Sequence, residues 1–219
     1  GRVEVNAIGR GLGADGAFIA GKASILAKRD SSVGMDDLWV QVGNKGGDVK
    51  LGRFEAADVF PLGRDTIVDR AGSGFAYRTN LLRGRFTGGT FHGAGTVNFG
   101  SGMSLELGLV ESKGATYAGS VNNGNMGIQA KGVRPVLTYD ANGLTVRVGA
   151  EVGKTGAAMD KFKGFGATVI SDLGGGTKVN VNFASGKVDA ADDRSTAVGL
   201  GAYIGAAHAA IEFAKNGDE

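Results

Sequence analysis

Acid and base are sorted onto consecutive stretches of this chain between Arg53 and Arg85. Residues 54 to 74 carry Glu55, Asp58, Asp65 and Asp69 against Arg64 and Arg70, a net of two negative charges; the stretch that follows carries Arg78, Arg83 and Arg85, with no acid before Glu106. Carboxylates gathered in a loop can hold a divalent cation, but these lack the regular spacing of a calcium loop, so no metal site is expected. His92 and His208 lie far apart among glycines and alanines, with no serine or acid placed to complete a nucleophilic triad. Gly9-Arg10-Gly11-Leu12-Gly13 and Gly164-Phe165-Gly166 superficially suggest nucleotide loops, yet neither opens a helix after a buried strand. No cofactor is implied, and no enzyme chemistry.

The elements that must position these charges repeat one pattern from Val3 to Lys215: eight to eleven residues alternating apolar and polar, then a Gly/Asn/Asp turn. In Leu144-Thr145-Val146-Arg147-Val148-Gly149-Ala150-Glu151-Val152 the apolar residues share one face, while Thr145, Arg147 and Glu151 share the other. Lys178-Val179-Asn180-Val181-Asn182-Phe183 separates in the same way, with Lys178, Asn180 and Asn182 on the polar side. Apolar on one face and charged on the other, strand after strand, is the signature of an antiparallel transmembrane β-barrel. Arg147, Glu151, Lys178, Asn180 and Asn182 are then expected on the lumen wall.

Strands are predicted near 2 to 12, 16 to 28, 36 to 43, 48 to 53, 75 to 86, 90 to 99, 103 to 111, 116 to 122, 126 to 139, 143 to 153, 163 to 173, 177 to 185, 195 to 204 and 206 to 215, about fourteen in all. Hairpin chemistry at Asn44-Lys45-Gly46-Gly47, Phe99-Gly100-Ser101-Gly102, Asp140-Ala141-Asn142-Gly143 and Gly174-Gly175-Gly176 alternates with longer polar joints. One connection stands apart. From Phe54 to Gly74 the alternation stops, and a loop of that length inside a compact domain is usually functional. Beyond it, Arg83 and Arg85 share a parity opposite to Leu82 and Phe86, whereas Arg78 falls on the other parity and needs a bulge or a place at the loop's end.

Composition agrees with one all-β domain over residues 1 to 219. Glycine numbers 41 of 219 residues, well above the average of about 7%, and suits a sheet with tight turns and bends. A net charge of +2, with 24 basic and 22 acidic residues, gives no nucleic-acid footprint. No apolar run reaches the ~18 residues of a membrane helix, and mean hydropathy is near zero, as expected where half of each strand is polar. The absence of cysteine leaves no disulfide or thiolate site to consider.

Val49-Lys50-Leu51-Gly52-Arg53, following Leu38-Trp39-Val40-Gln41-Val42-Gly43 and opening into the acidic loop, resembles the hairpin of Gram-negative general-diffusion porins and sugar porins. In that family the loop after the Gly-Arg pair folds into the barrel and narrows the pore. The resemblance implies that 54 to 74 is an inward constriction loop. Arg53, Glu55, Asp58, Asp65, Asp69, Arg78, Arg83 and Arg85 would line it, with acids and arginines opposed across water. It implies a passive outer-membrane channel for small hydrophilic solutes, sugars among the candidates, embedded in outer-membrane lipid as a homotrimer. Because the loop arrives after two hairpins and the chain closes on Lys215-Asn216-Gly217-Asp218-Glu219, strands are expected to be missing at both ends, giving sixteen, alternatively eighteen, in the whole barrel. A non-conducting barrel for adhesion or anchoring, and a soluble secreted β-solenoid or sandwich, are the alternatives.

Overall fold

The computed structural model describes residues 2–28, 32–61, 77–86, 90–112, 130–155, 158–189 and 194–217. Twelve strands form one antiparallel sheet in sequence order. They are β1 (Arg2–Leu12), β2 (Phe18–Lys28), β3 (Val33–Asn44), β4 (Gly47–Arg53), β5 (Thr90–Gly100), β6 (Met103–Ser112), β7 (Ala130–Ala141), β8 (Leu144–Thr155), β9 (Asp160–Gly174), β10 (Thr177–Val188), β11 (Arg194–Ile204) and β12 (Ala207–Asn216). Short turns close every odd-to-even hairpin and therefore lie along one rim, as the Gly/Asn turn chemistry predicts. β1 and β12 are the edges of an open sheet. The predicted strand at 116 to 122 lies outside the described residues.

Register sorts the side chains into two faces. One is bare and apolar from edge to edge: Val5, Val40, Val49, Val97, Leu107, Leu137, Val148, Val181, Leu200 and Phe213 are all exposed on it. A water-soluble protein rarely leaves so continuous an apolar surface open, whereas lipid covers it at no cost. The other face is overlaid by the described parts of the connection between β4 and β5 and carries Lys22, Lys50, Glu106, Arg134, Arg147 and Glu151. Arg147 on β8 pairs in register with Thr138 and Thr168, and Asn182 on β10 with Thr168 and Gly199, so the polar parity read from the sequence holds strand to strand.

The predicted strand at 75 to 86 is corrected by the structure. Of its described part, 77–86 belongs to no sheet strand: it turns at Asn80 to Arg83, where the Arg83 amide donates to the Asn80 carbonyl at 3.2 Å. It meets the outgoing limb of the connection through a single antiparallel bridge, Glu55 to Gly84. The apolar residues that imitate a strand there are spent on packing. Tyr77, Leu81, Leu82 and Phe86 join Phe60 in a buried cluster with Val110, Ala130, Phe162, Ala184 and Ala197 from β6, β7, β9, β10 and β11. Because that cluster has only small or single apolar contributions from each strand, its stability depends on the connection being present.

The same connection shows how strongly the sheet curls. Arg78 is ion-paired to Glu212 on β12, and Arg85 to Asp36 on β3. Nine strand spacings of about 4.8 Å would separate those strands by roughly 43 Å on a flat sheet. Seven residues span at most about 25 Å when fully extended, and this segment contains a turn. The backbone step is thus shorter than the flat-sheet distance its two ion pairs join, the remainder being taken up by side-chain reach and by curl of the sheet.

Candidate functional site

Glycine builds the seat for the connection. Gly164 on β9 and Gly186 on β10 sit directly beneath the Tyr77 ring, and a Cβ on Gly186 would lie 2.6 Å from it. Gly166 lies under the Thr79 hydroxyl, Gly149 would bring a Cβ to 3.0 Å from Val59, and Gly132 to 2.9 Å from Leu82. These are positions on the loop face of β7 to β10, where any side chain would fill the space the connection occupies. Turns explain other glycines. This trough was not legible in the sequence, since it depends on which strand lies under which loop residue.

Polar groups then fasten the connection along its length. The fully buried Glu151 accepts the Leu81 amide at 3.1 Å and the Leu82 amide at 3.0 Å, holding the turn at both of its carboxylate oxygens. Arg134, equally buried, lies 3.8 Å from Glu151 and 3.9 Å from Glu106, and donates to the carbonyls of Ala57 at 2.8 Å and Thr79 at 3.1 Å. It thus bridges the two limbs. Glu106 accepts the Ala57 amide at 3.0 Å, Arg147 donates to the Asp58 carbonyl at 3.0 Å, and the Asn182 amide to the Pro61 carbonyl at 3.3 Å. Pro135, which has no N–H, sits where the β7–β8 pairing is interrupted, beside Arg134. At the far end the Tyr77 amide donates to the Ser195 hydroxyl at 3.0 Å. Among the described residues no group meets the Tyr77 hydroxyl in full hydrogen-bond geometry; burial, and then the Glu151 carboxylate nearby, raise its pKa, so it stays protonated.

Several sequence expectations change in this light. Arg78, Arg83 and Arg85 do not stand on a wall facing the loop: they belong to its returning limb. Arg83 contacts Glu55 and Asp58, both at 3.2 Å, on the outgoing limb. Arg85 turns back to β3, 2.8 Å from Asp36 and 3.4 Å from Asp37. Arg53 lies at the loop root, where its guanidinium donates to the carbonyls of Asp36, Arg85 and Phe86 at 2.7, 2.5 and 3.1 Å. Glu151, Asn180 and Asn182 share the predicted face but are buried beneath the connection instead of facing open water. Lys178 alone of the predicted wall set is largely exposed, paired with Asp172 at 3.1 Å. Asp65 and Asp69 lie outside the described residues.

The functional groups that sequence reasoning missed are Asp36 and Asp37. Both are buried, and the β2–β3 register slips between Ala23 and Ile25, so that the two acids stand opposite Ser24 on one face. Lys22 reaches Asp37 at 2.7 Å. The available signal was two adjacent acids inside an otherwise alternating strand, which only a bulge can accommodate. Beside them, the Lys50 ammonium lies over the rings of Trp39, at 4.1 Å, and Phe54, at 4.8 Å. Phe54 in turn stacks on His92 at 4.0 Å, and Phe86 meets His92 edge-on at 5.2 Å. Both ends of the connection are thus pinned to one imidazole.

An apolar-outside sheet curled around an inward, charge-fastened connection is the architecture of an outer-membrane diffusion porin. A family model described as porin-like glycoporin RafY matches residues 1–216, and the chain belongs to that family, that of Gram-negative outer-membrane porins. The anion-selective porin from Comamonas acidovorans is similar in structure, with a TM-score of 0.57 at 14% identity, over 98% of this chain and 79% of that one. The in-vitro folded trimer form of OmpT from Vibrio cholerae aligns with a TM-score of 0.52 at 12% identity, over 98% of this chain and 80% of that one. At such identities these similarities speak for the fold alone. No curated protein matches the chain. The protein is an outer-membrane channel for diffusion.

Proposed function

We propose that the connection from residue 54 to 86 narrows this channel, and that small hydrophilic solutes, sugars among them, pass it down their gradients without reaction chemistry. The observation that carries the reading is the fastening of the connection to the loop face by Glu151, Arg134, Glu106 and Arg78, while the opposite face remains apolar. A decorative surface loop has no need of such anchors. In this reading Arg53, Glu55, Asp58, Arg78, Arg83 and Arg85, together with Asp65 and Asp69, form the constriction, and Arg147, Glu151, Lys178, Asn180 and Asn182 the adjoining wall. Paired as they are, Arg83 and Arg85 present a mixed, locally neutral rim, in place of opposed rows of one sign each.

Sugars are favoured over other neutral solutes by the glycoporin family and by flat ring surfaces on the loop face. Trp39 is half-buried there, and Tyr203 stacks on His208 at 4.2 Å. The twelve described strands would belong to a barrel of sixteen, alternatively eighteen, assembled as a homotrimer in outer-membrane lipid. Liposome swelling with mono-, di- and trisaccharides tests the solute reading. Rates should fall with solute size and show no saturation at low concentration. Impermeability to all three would leave a non-conducting, anchoring barrel as the better account.

A further inference from the structure

Charge on the loop face is almost entirely neutralised in place. Lys22 is bound to Asp37, Arg78 to Glu212, Arg83 to Glu55 and Asp58, and Arg85 to Asp36 and Asp37. Arg53 and Arg147 commit their guanidinium groups to backbone carbonyls. Arg134 is buried between Glu106 and Glu151. Arg10 is exposed at the short-turn end of β1, over the Phe18 ring and away from the connection. Lys50 differs from all of these. It stands three residues before the loop root, in register with Gln41 and Ala94 on the loop face, and it is half-buried. Among the described residues no carboxylate lies within ion-pairing distance of it and no hydrogen bond uses its three N–H donors; its contacts are the faces of Trp39 and Phe54.

An aromatic face attracts an ammonium through its quadrupole but accepts no full charge from it. The positive charge is therefore held in place without an ion-pair partner among the described residues, with Asp37, Glu106 and Asp48 acting on it only at a distance. A half-buried cation beside a constriction, with no described group accepting from its donors, is what an anionic solute needs as it exchanges hydration for contact. We infer that the Lys50 ammonium, held over Trp39 and Phe54, is the group that sets preference for small anionic solutes such as carboxylates and phosphates. The arginines singled out by spacing do not serve, because Arg78, Arg83 and Arg85 already have their counter-charges and Arg53 has its donors taken up by three backbone carbonyls. This inference rests on the channel reading above.

The test is the reversal potential of single channels in a potassium chloride gradient, for wild type, Lys50→Met and Lys50→Arg. At low salt Lys50→Met should shift the reversal potential toward cations, and the shift should shrink near ~1 M salt, where the screening length falls to about 3 Å. Loss of one charge anywhere in the lumen could move the potential, so the pH dependence carries the attribution. A lysine can lose its proton at alkaline pH while a guanidinium does not. The wild type should therefore move toward cations as pH rises, Lys50→Arg should move less, since only the other loop-face lysines such as Lys22 and Lys178 remain to titrate, and Lys50→Met should start already shifted. Competition by inorganic phosphate should weaken in Lys50→Met. An unchanged reversal potential in Lys50→Met at low salt would overturn the inference, and so would an alkaline shift that is undiminished in Lys50→Arg. A folded wild type that passes no current would overturn the channel reading itself, a result separable from either of these.

Discussion

Glu151→Ala should release the connection from the wall while leaving the sheet assembled. The substitution strips the acceptors from the Leu81 and Leu82 amides and leaves the Arg134 charge buried with only Glu106 near it, at 3.9 Å. Removing one partner of a buried ion pair typically costs about 3–5 kcal/mol, most of it from the charge left behind. At tenfold per 1.4 kcal/mol, a loss of about 4 kcal/mol moves the balance between seated and unseated connection by roughly a thousandfold. The measured consequence should be a larger and noisier single-channel conductance, with faster hydrogen exchange at Leu81 and Leu82. Glu151→Gln retains one acceptor oxygen and should fall between the two. Because β8 and β9 pair along their whole length independently of this carboxylate, heat-modifiable migration in detergent should be unchanged.

The second large effect is steric and comes from the other side of the same contact. Gly164→Val and Gly186→Val each place a branched side chain where the Tyr77 ring now lies. Overpacking of a close contact usually costs about 1–3 kcal/mol per site, and here the cheapest relief is for Tyr77 to lift away. Valine is otherwise welcome in a strand, so the sheet itself should gain or lose little. The double variant should show enlarged conductance and new protease sensitivity near Tyr77. Tyr77→Ala, combined with either valine, should recover part of the original packing, since the clash disappears with the ring. No such rescue is expected for Glu151→Ala.

Much of this fold was legible because strand parity is a local property. Arg147 and Glu151 fell opposite Val146 and Val148 in the sequence, and the register puts them on opposite faces of β8. The Gly/Asn turns marked one rim for the same reason, and the break in alternation after Arg53 marked the long connection. What could not be read was non-local. Residues 75 to 86 look like a strand because Arg83 and Arg85 alternate with Leu82 and Phe86, yet Tyr77 and Leu82 are matched to glycines on β7, β9 and β10. No local rule reveals that a glycine is empty so that a tyrosine some hundred residues away can fill the space. The partners of Arg83 and Arg85 were hidden likewise: Arg85 answers to a bulge in β3 that only the pairing with β2 creates. The adjacent acids Asp36 and Asp37 were the visible trace of that bulge.

The absence of cysteine allows a direct test of whether the connection lines the conducting path, with single cysteines at two reference positions. Asp58 is partly exposed on the outgoing limb, and Val148 is exposed on the bare face. Single-channel current is recorded while a charged, membrane-impermeant thiol reagent is added to Asp58→Cys and to Val148→Cys. The account predicts a stepwise fall in current for Asp58→Cys and none for Val148→Cys. An unaffected Asp58→Cys current, with labelling confirmed by mass, would contradict a conducting path beside the connection.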